Sequence, residues 1–249
     1  MNLEGKVCLV TGGSSGIGAS TALCLAQKGA RIASVSRKGG AGKLATLYDD
    51  RSNGAGPHFL KADISDPAAC RRCVEDVVTD LGRLDVLVHS AGGPVPGGLF
   101  AVSDEDWMNA FAVHVHSIFH LVRAAAPQMA KQGGGAIILL GSAAGLRGCA
   151  GALAYGVVKG ALPQFARSLA RELAEQNIRV NCVSPGIIRT PFQDSLTPEQ
   201  SENNIQNRIP LRREGQPEDV AQLIVSLVEN DFITGENFVI DGGMTMRVV

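Results

Sequence analysis

The sequence predicts one doubly wound α/β domain over residues 1–249, with a parallel sheet of about seven strands and helices on both faces. Three observations lead there. Short β-rich runs alternate with longer amphipathic runs from end to end. Most of the short runs are apolar at consecutive positions, the mark of strands covered on both faces. A glycine-rich loop joins the first strand to the first helix, as a nucleotide-binding α/β unit requires.

In chain order, residues 6–10 read as the first strand, 11–18 as the glycine loop and 17–28 as a helix. A strand at 31–35 follows, then a turn at Gly39, Gly40, Ala41 and Gly42. Strands at 58–62 and 86–89 flank a helix at 68–81, and a long helix spans 104–131. Gly133, Gly134 and Gly135 turn the chain into a strand at 136–140, and the helix at 153–175 leads to the strand at 179–183. The polar stretch 190–215 carries Pro191, Pro198 and Pro210, and a connection this long predicts a substrate lid over 191–215. A helix at 217–230 and a strand at 237–240 complete the pattern.

Composition narrows the function. A formal net charge of −1 leaves no electrostatic footprint for nucleic acid or an anionic membrane. No apolar run is long enough to span a bilayer, the start lacks the basic and apolar regions of a signal peptide, and a cytoplasmic location is expected. Six cysteines in a chain this long are no disulfide framework, and the Cys70–Cys73 CxxC, without a second pair, reads as packing. No metal is expected.

The loop from Thr11 to Gly18 places Gly12, Ser14, Ser15, Gly16, Ile17 and Gly18 where glycines let the backbone approach a pyrophosphate and a helix start offers free N–H groups, a Rossmann-like arrangement. At the end of the second strand an acidic residue would bind the ribose 2′-OH; Ser36, Arg37 and Lys38 stand there instead. A hydroxyl and two cations suit a 2′-phosphate and favour NADP(H) over NAD(H), the alternative being ordinary surface charge. Tyr155 and Lys159 are four apart on a predicted helix and share a face. A cation beside a phenol of pKa ~10 is expected to lower it toward proton transfer near neutrality. Ser142, past the strand at 136–140, can orient a carbonyl oxygen or cap a turn.

Together these motifs resemble the short-chain dehydrogenase/reductase family in its single-domain branch, over nearly the whole chain. Residues 11–18 resemble its TGxxxGxG loop, and Asp63, with Ile64 beside it, stands where the family contacts adenine. Ser90, Ala91 and Gly92 resemble its NAG turn, and Ser142, Tyr155 and Lys159 its serine and YxxxK. Pro185 and Gly186, with Ile188 and Thr190, resemble the segment that holds the nicotinamide carboxamide, and Ile240 to Gly243 the usual last strand and turn. The resemblance implies hydride exchange between a nicotinamide cofactor and a small carbonyl or alcohol substrate. Tyr155 would be the general acid in reduction and base in oxidation, Lys159 its modulator and Ser142 the orienting hydroxyl. It implies a homotetramer or dimer.

Three positions depart from the family pattern. His114 stands where an Asn supports a proton relay; it is read either as a modified relay, titrating near the histidine range of ~6.5 before any shift, or as a core histidine. His116 and His120 share its helix without the spacing of a metal site. The NAG turn begins His89-Ser90, and Pro163 lies inside the Tyr155 helix, where a kink is expected. Residues 93–98, 146–153 and 187–196 are expected to line a partly apolar pocket, with Arg147 facing either an anionic group or solvent. A catalytically impaired, cofactor-binding regulator is the alternative function. A nucleotide-sugar epimerase fits less well, because the chain is short and the glycine spacing differs.

Overall fold

β1 (Val7–Thr11) is buried at every position, and its alternate side chains enter two separate cores. Val7 and Leu9 join one core with Cys70, Ile118 and Leu162; Cys8 and Val10 join the other with Ala22, Leu25 and Ile224. Burial on both faces is why these runs lack polar alternation. The computed structural model describes residues 1–40, 56–194 and 196–246. The predicted turn at 39–42 therefore lies partly outside the described residues.

The remaining strands are β2 (Arg31–Ser36), β3 (His58–Lys61), β4 (Val86–His89), β5 (Gly135–Leu140), β6 (Ile178–Pro185) and β7 (Asn237–Ile240). They form one sheet in the order β3-β2-β1-β4-β5-β6-β7, and every neighbouring pair is parallel. The chain winds outward from β1 to β3, then returns to the other side of β1 with β4. That reversal opens a crevice at the carboxyl ends of β1 and β4, the place where such sheets bind ligands. At the opposite end, the buried Asp85 accepts from Arg83 Nε and Nη2, both at 2.7 Å, and from the Val7 N–H at 3.0 Å, tying the starts of β1 and β4 together.

Helices α1 (Gly16–Gln27) and α7 (Pro217–Glu229) cover one face; α2 (Pro67–Leu81), α4 (Ser117–Lys131) and α5 (Leu153–Leu173) cover the other. The predicted helix over 104–131 is interrupted. α3 (Asp104–Phe111) passes through a π turn at Ala112–His116 before α4 begins. The expected lid over 191–215 carries structure of its own: a 3-10 turn at Pro191–Gln193, the short α6 (Pro198–Asn203) with its Thr197–Gln200 capping box, and a π turn at Asn204–Arg208. Its two ends are joined by Arg189 N–H to Gly215 O at 2.8 Å and by the Arg189–Glu214 ion pair at 3.1 Å. α5 runs on through Pro163 without ending.

Asp66 caps α2, accepting from the N–H groups of Ala68 at 2.9 Å and Ala69 at 3.2 Å. Asp66→Ala should lower stability by removing the cap, read as a lower urea midpoint at unchanged slope; an unchanged midpoint would remove Asp66 from that role.

Candidate active site

The glycine loop is built as a cradle. A Cβ on Gly12, at φ +69, would lie 2.8 Å from Ala91 Cα, and one on Gly18 would collide with the Gly12 carbonyl. Only hydrogen fits where β1, β4 and the start of α1 converge. Ser15 stands at the N-cap of α1 without turning its side chain back on the helix, so the first-turn N–H groups keep their capacity for an anion. Thr190 packs against Gly16, which brings the segment after β6 against the loop, and Gly186 packs against Asp241. This donor set fits a dinucleotide pyrophosphate.

A cleft of about 720 Å³ opens from this cradle. Ile17, Ser90, Gly92, His114, Ser142, Tyr155, Lys159, Pro185, Gly186, Ile188 and Thr190 all line it, residues that lie as far apart as 173 positions in sequence (190 − 17). Ser142 Oγ accepts from the Ala144 N–H at 3.1 Å, the turn-capping role, and its hydroxyl acts to lower the nearby Tyr155 phenol. Since its lone pair is held by the backbone, its proton is available to an oxygen in the cleft. Lys159, 6% exposed, donates from Nζ to the Leu140 carbonyl at 2.6 Å and lies 5.8 Å from the centre of the Tyr155 ring.

Contrary to the expected lowering, the Tyr155 phenol is raised: burial dominates, the Ser142 hydrogen bond opposes it, and Cys149 adds to it. Burial also pulls Lys159 down to about 8. The low dielectric that brings cation and phenol together penalises the charged form of each.

The loop carrying Ser142 is seated directly on α5. A Cβ on Gly145 would lie 2.5 Å from the Gly160 nitrogen and 2.8 Å from the Lys159 carbonyl oxygen. Pro163 has no N–H to give that carbonyl, so the helix is open where the loop presses on it.

His114 and His89 are both buried, and both stay neutral. His114 is pulled down to about 2, by burial first, then by Lys159 and His89; His89 falls to about 3 for the same leading reasons. The expected titration of His114 near 6.5 is thereby corrected. His114 Nδ1 is left without a partner, the Gly93 backbone slightly opposes the lowering, and the ring meets Tyr155 edge-on at 5.8 Å. His89 anchors the turn that presents His114. Ala91 N–H donates to Thr11 Oγ1 at 3.2 Å, Thr11 Oγ1 lies 3.0 Å from His89 Nδ1, His89 Nε2 lies 3.3 Å from Ser117 Oγ, and Ser117 donates to the Val113 carbonyl at 2.6 Å. Since Ser117 gives its only proton to Val113, His89 donates through Nε2 and accepts at Nδ1. His116 is exposed and His120 only half-buried, and neither lines the cleft.

The remaining predicted residues divide. Arg37 and Asp63 line a second hollow with Lys61 and Arg72, and Arg37 helps lower the Asp63 carboxyl, whose main cause is hydrogen bonding by Ser65. Ser36 Oγ accepts from Gly39 N–H at 3.2 Å, Lys38 is exposed outside both linings, and Ile64 is 6% exposed within the core. Ser14 and Ala91 flank the cradle without lining the cleft. Cys149 lines the cleft within the expected stretch 146–153, whereas sequence reasoning missed Ser117 as the partner of His89 and did not single out Asn204 and Arg208; only the fold brings these to the site.

A switch-point crevice holding a glycine cradle, a serine and a Tyr–Lys pair defines a nucleotide-dependent oxidoreductase site. A family model described as enoyl-(acyl carrier protein) reductase matches residues 12–245. The chain is 38% identical to the 3-oxoacyl-(acyl-carrier-protein) reductase FabG of Thermotoga maritima, covering 99% of this chain and 100% of the relative. It is 36% identical to carbonyl reductase family member 4 of Xenopus laevis, covering 98% and 99% respectively. The crystal structure of L-sorbose reductase from Gluconobacter frateurii, complexed with NADPH and L-sorbose, superposes with a TM-score of 0.91 at 30% identity, covering 100% of both chains. The protein belongs to the short-chain dehydrogenase/reductase family and is an oxidoreductase of C=O and CH–OH groups using NAD(P).

The depressed histidines make stability depend on acid. Unfolding lets each take up a proton below its ordinary value of 6.5, so stability held above pH 6.5 is lost as pH falls toward 3. Between pH 7 and pH 5 the pair should withdraw about 4 kcal/mol, measured by urea unfolding; His114→Asn should remove about half of that loss. An equal loss in the variant would refute this source.

Proposed function

We propose that the protein is an NADP(H)-dependent oxidoreductase that reversibly exchanges a hydride between nicotinamide and a carbonyl or secondary alcohol, with Tyr155 passing the proton. The observation that carries this reading is the meeting of Ser142, Tyr155 and Lys159 in one cleft below the glycine cradle. When bound, the cofactor supplies or takes the hydride. Ser142 and Tyr155 offer two adjacent hydroxyls to one substrate oxygen, Ser142 orienting it and Tyr155 exchanging a proton with it. The raised phenol is protonated near neutrality, which suits Tyr155 as the acid of reduction; alcohol oxidation should rise with pH.

Lys159 holds its place through Leu140 and keeps the region positive. His114 serves as a neutral proton carrier, its free Nδ1 accepting and its opposite nitrogen donating. Gly12, Ser14, Ser15, Gly16, Ile17 and Gly18 hold the pyrophosphate, Asp63 and Ile64 the adenine side, and Ser90, Ala91, Gly92, Pro185, Gly186, Ile188 and Thr190 the nicotinamide side. For the 2′-phosphate, support comes from the absence of a carboxylate at Ser36, from the exposed Lys38, and from Arg37 with Lys61 and Arg72 around one hollow. Residues 191–215 close over the substrate, and the chain works as a dimer or tetramer.

Tyr155→Phe should lower kcat by about 10²–10⁴-fold while NADPH affinity stays within a few-fold. Equal activity in the variant would end this mechanism, and tight NADPH binding with no turnover of any ketone, aldehyde or diketone by the native protein would favour a regulator. Arg37→Ala should cut the NADPH-over-NADH ratio in kcat/KM by about tenfold, the usual scale for one charge-assisted contact. An unchanged ratio removes Arg37 from phosphate recognition.

A further inference from the structure

The cleft lining carries three cations, Arg147, Lys159 and Arg208, and no Asp or Glu among the described residues. Lys159 is occupied by Leu140 beneath the reacting groups. Arg147 and Arg208 belong to other elements, the loop that follows Ser142 and the lid, and both are exposed. Neither enters an ion pair among the described residues. Each is held by a neutral oxygen instead. Arg147 gives Nε and Nη2 to the Thr245 carbonyl at 3.3 and 3.0 Å, and Asp241 fixes that segment by accepting from the N–H groups of Gly243 and Thr245. Arg208 gives Nη1 to Asn204 Oδ1 at 2.9 Å, and Asn204 is 6% exposed. A guanidinium has five N–H donors, so both retain donors for a ligand.

We infer that Arg147 and Arg208 form a subsite for a carboxylate carried by the substrate, making the preferred substrates oxo acids or hydroxy acids. The inference rests on the reductase reading of the same cleft. Two guanidiniums anchored by neutral acceptors keep their positions without spending their charge, and planar forks of this kind match a carboxylate in two-point contact. A cleft lined by one sign of charge also concentrates ligands of the other sign. The same cleft is also lined by Val95, Ile187, Phe192 and Leu196, which suits a short hydrocarbon segment between carboxylate and carbonyl. The cofactor's own phosphates are provided for elsewhere, at the start of α1 and around Arg37.

Calorimetry on the NADPH complex of the full chain separates the possibilities. The probes are 2-, 4- and 5-oxohexanoate, each with its methyl ester. At least one free acid should bind about tenfold or more tightly than its ester, the scale of a charge-assisted contact. The advantage should shrink at high salt, and Arg147→Gln, Arg208→Gln and the double variant should move the acid-to-ester ratio stepwise toward one. Equal binding of acids and esters, no binding of any acid, or variants that leave the ratio unchanged would overturn the inference. NADPH consumption is followed on the same mixtures. An acid that binds selectively without being reduced would defeat the reductase reading and leave the subsite standing; an ester reduced as well as its acid would do the reverse.

Discussion

Lys159 is an ammonium sealed under the cleft, with the carbonyl of Leu140 as its close partner at 2.6 Å. Removing such a charge from water is unfavourable, and its pull down to about 8 records that cost. The rest of the site is arranged around it. β5 delivers the carbonyl and α5 the amine, and the packing of Leu162 and Ala166 against the sheet stops the helix from carrying the amine out to solvent. The same buried cation helps keep His89 and His114 neutral, so the surrounding groups store neutral donors and acceptors instead of competing charges.

Local irregularities then bring the other groups to this cation. The π turn at Ala112–His116 shifts the phase of the helix so that His114 is buried in the cleft wall while His116 is exposed. His89 and Ser117 hold that turn from the end of β4. On the other side, the contact of Gly145 with Gly160 sets the Ser142 loop against the helix that carries Tyr155. Neither device adds much stability by itself; each fixes where one polar side chain sits relative to another, and acid–base chemistry depends on such placement.

Several readings of the residues were two-sided until the fold was known. Ser142 reads either as a cap or as an orienting hydroxyl, and it caps its turn while still acting on the Tyr155 phenol, because one lone pair serves the backbone while the proton remains free. Lys159 is expected to lower the Tyr155 phenol, but burial raises it instead, and burial of this depth has no signature in a YxxxK spacing. Arg147 lines the cleft as the stretch 146–153 predicts, but its anchoring by the Thr245 carbonyl appears only once that distant segment folds back onto it.

The sequence alone determined the strand order in the chain, the two-faced burial of the sheet, the glycine loop and the Ser142, Tyr155 and Lys159 set. Those features are local: they rest on apolar periodicity, on the need for glycine in a tight turn, and on a spacing that shares one helix face. Tertiary structure decided the protonation states, the π turn behind His114, and the approach of Arg208 and Thr245 to residues far from them in the chain. These depend on burial and on contacts between distant segments, which no run of neighbouring residues encodes, so they exist only once the sheet has brought its carboxyl ends together.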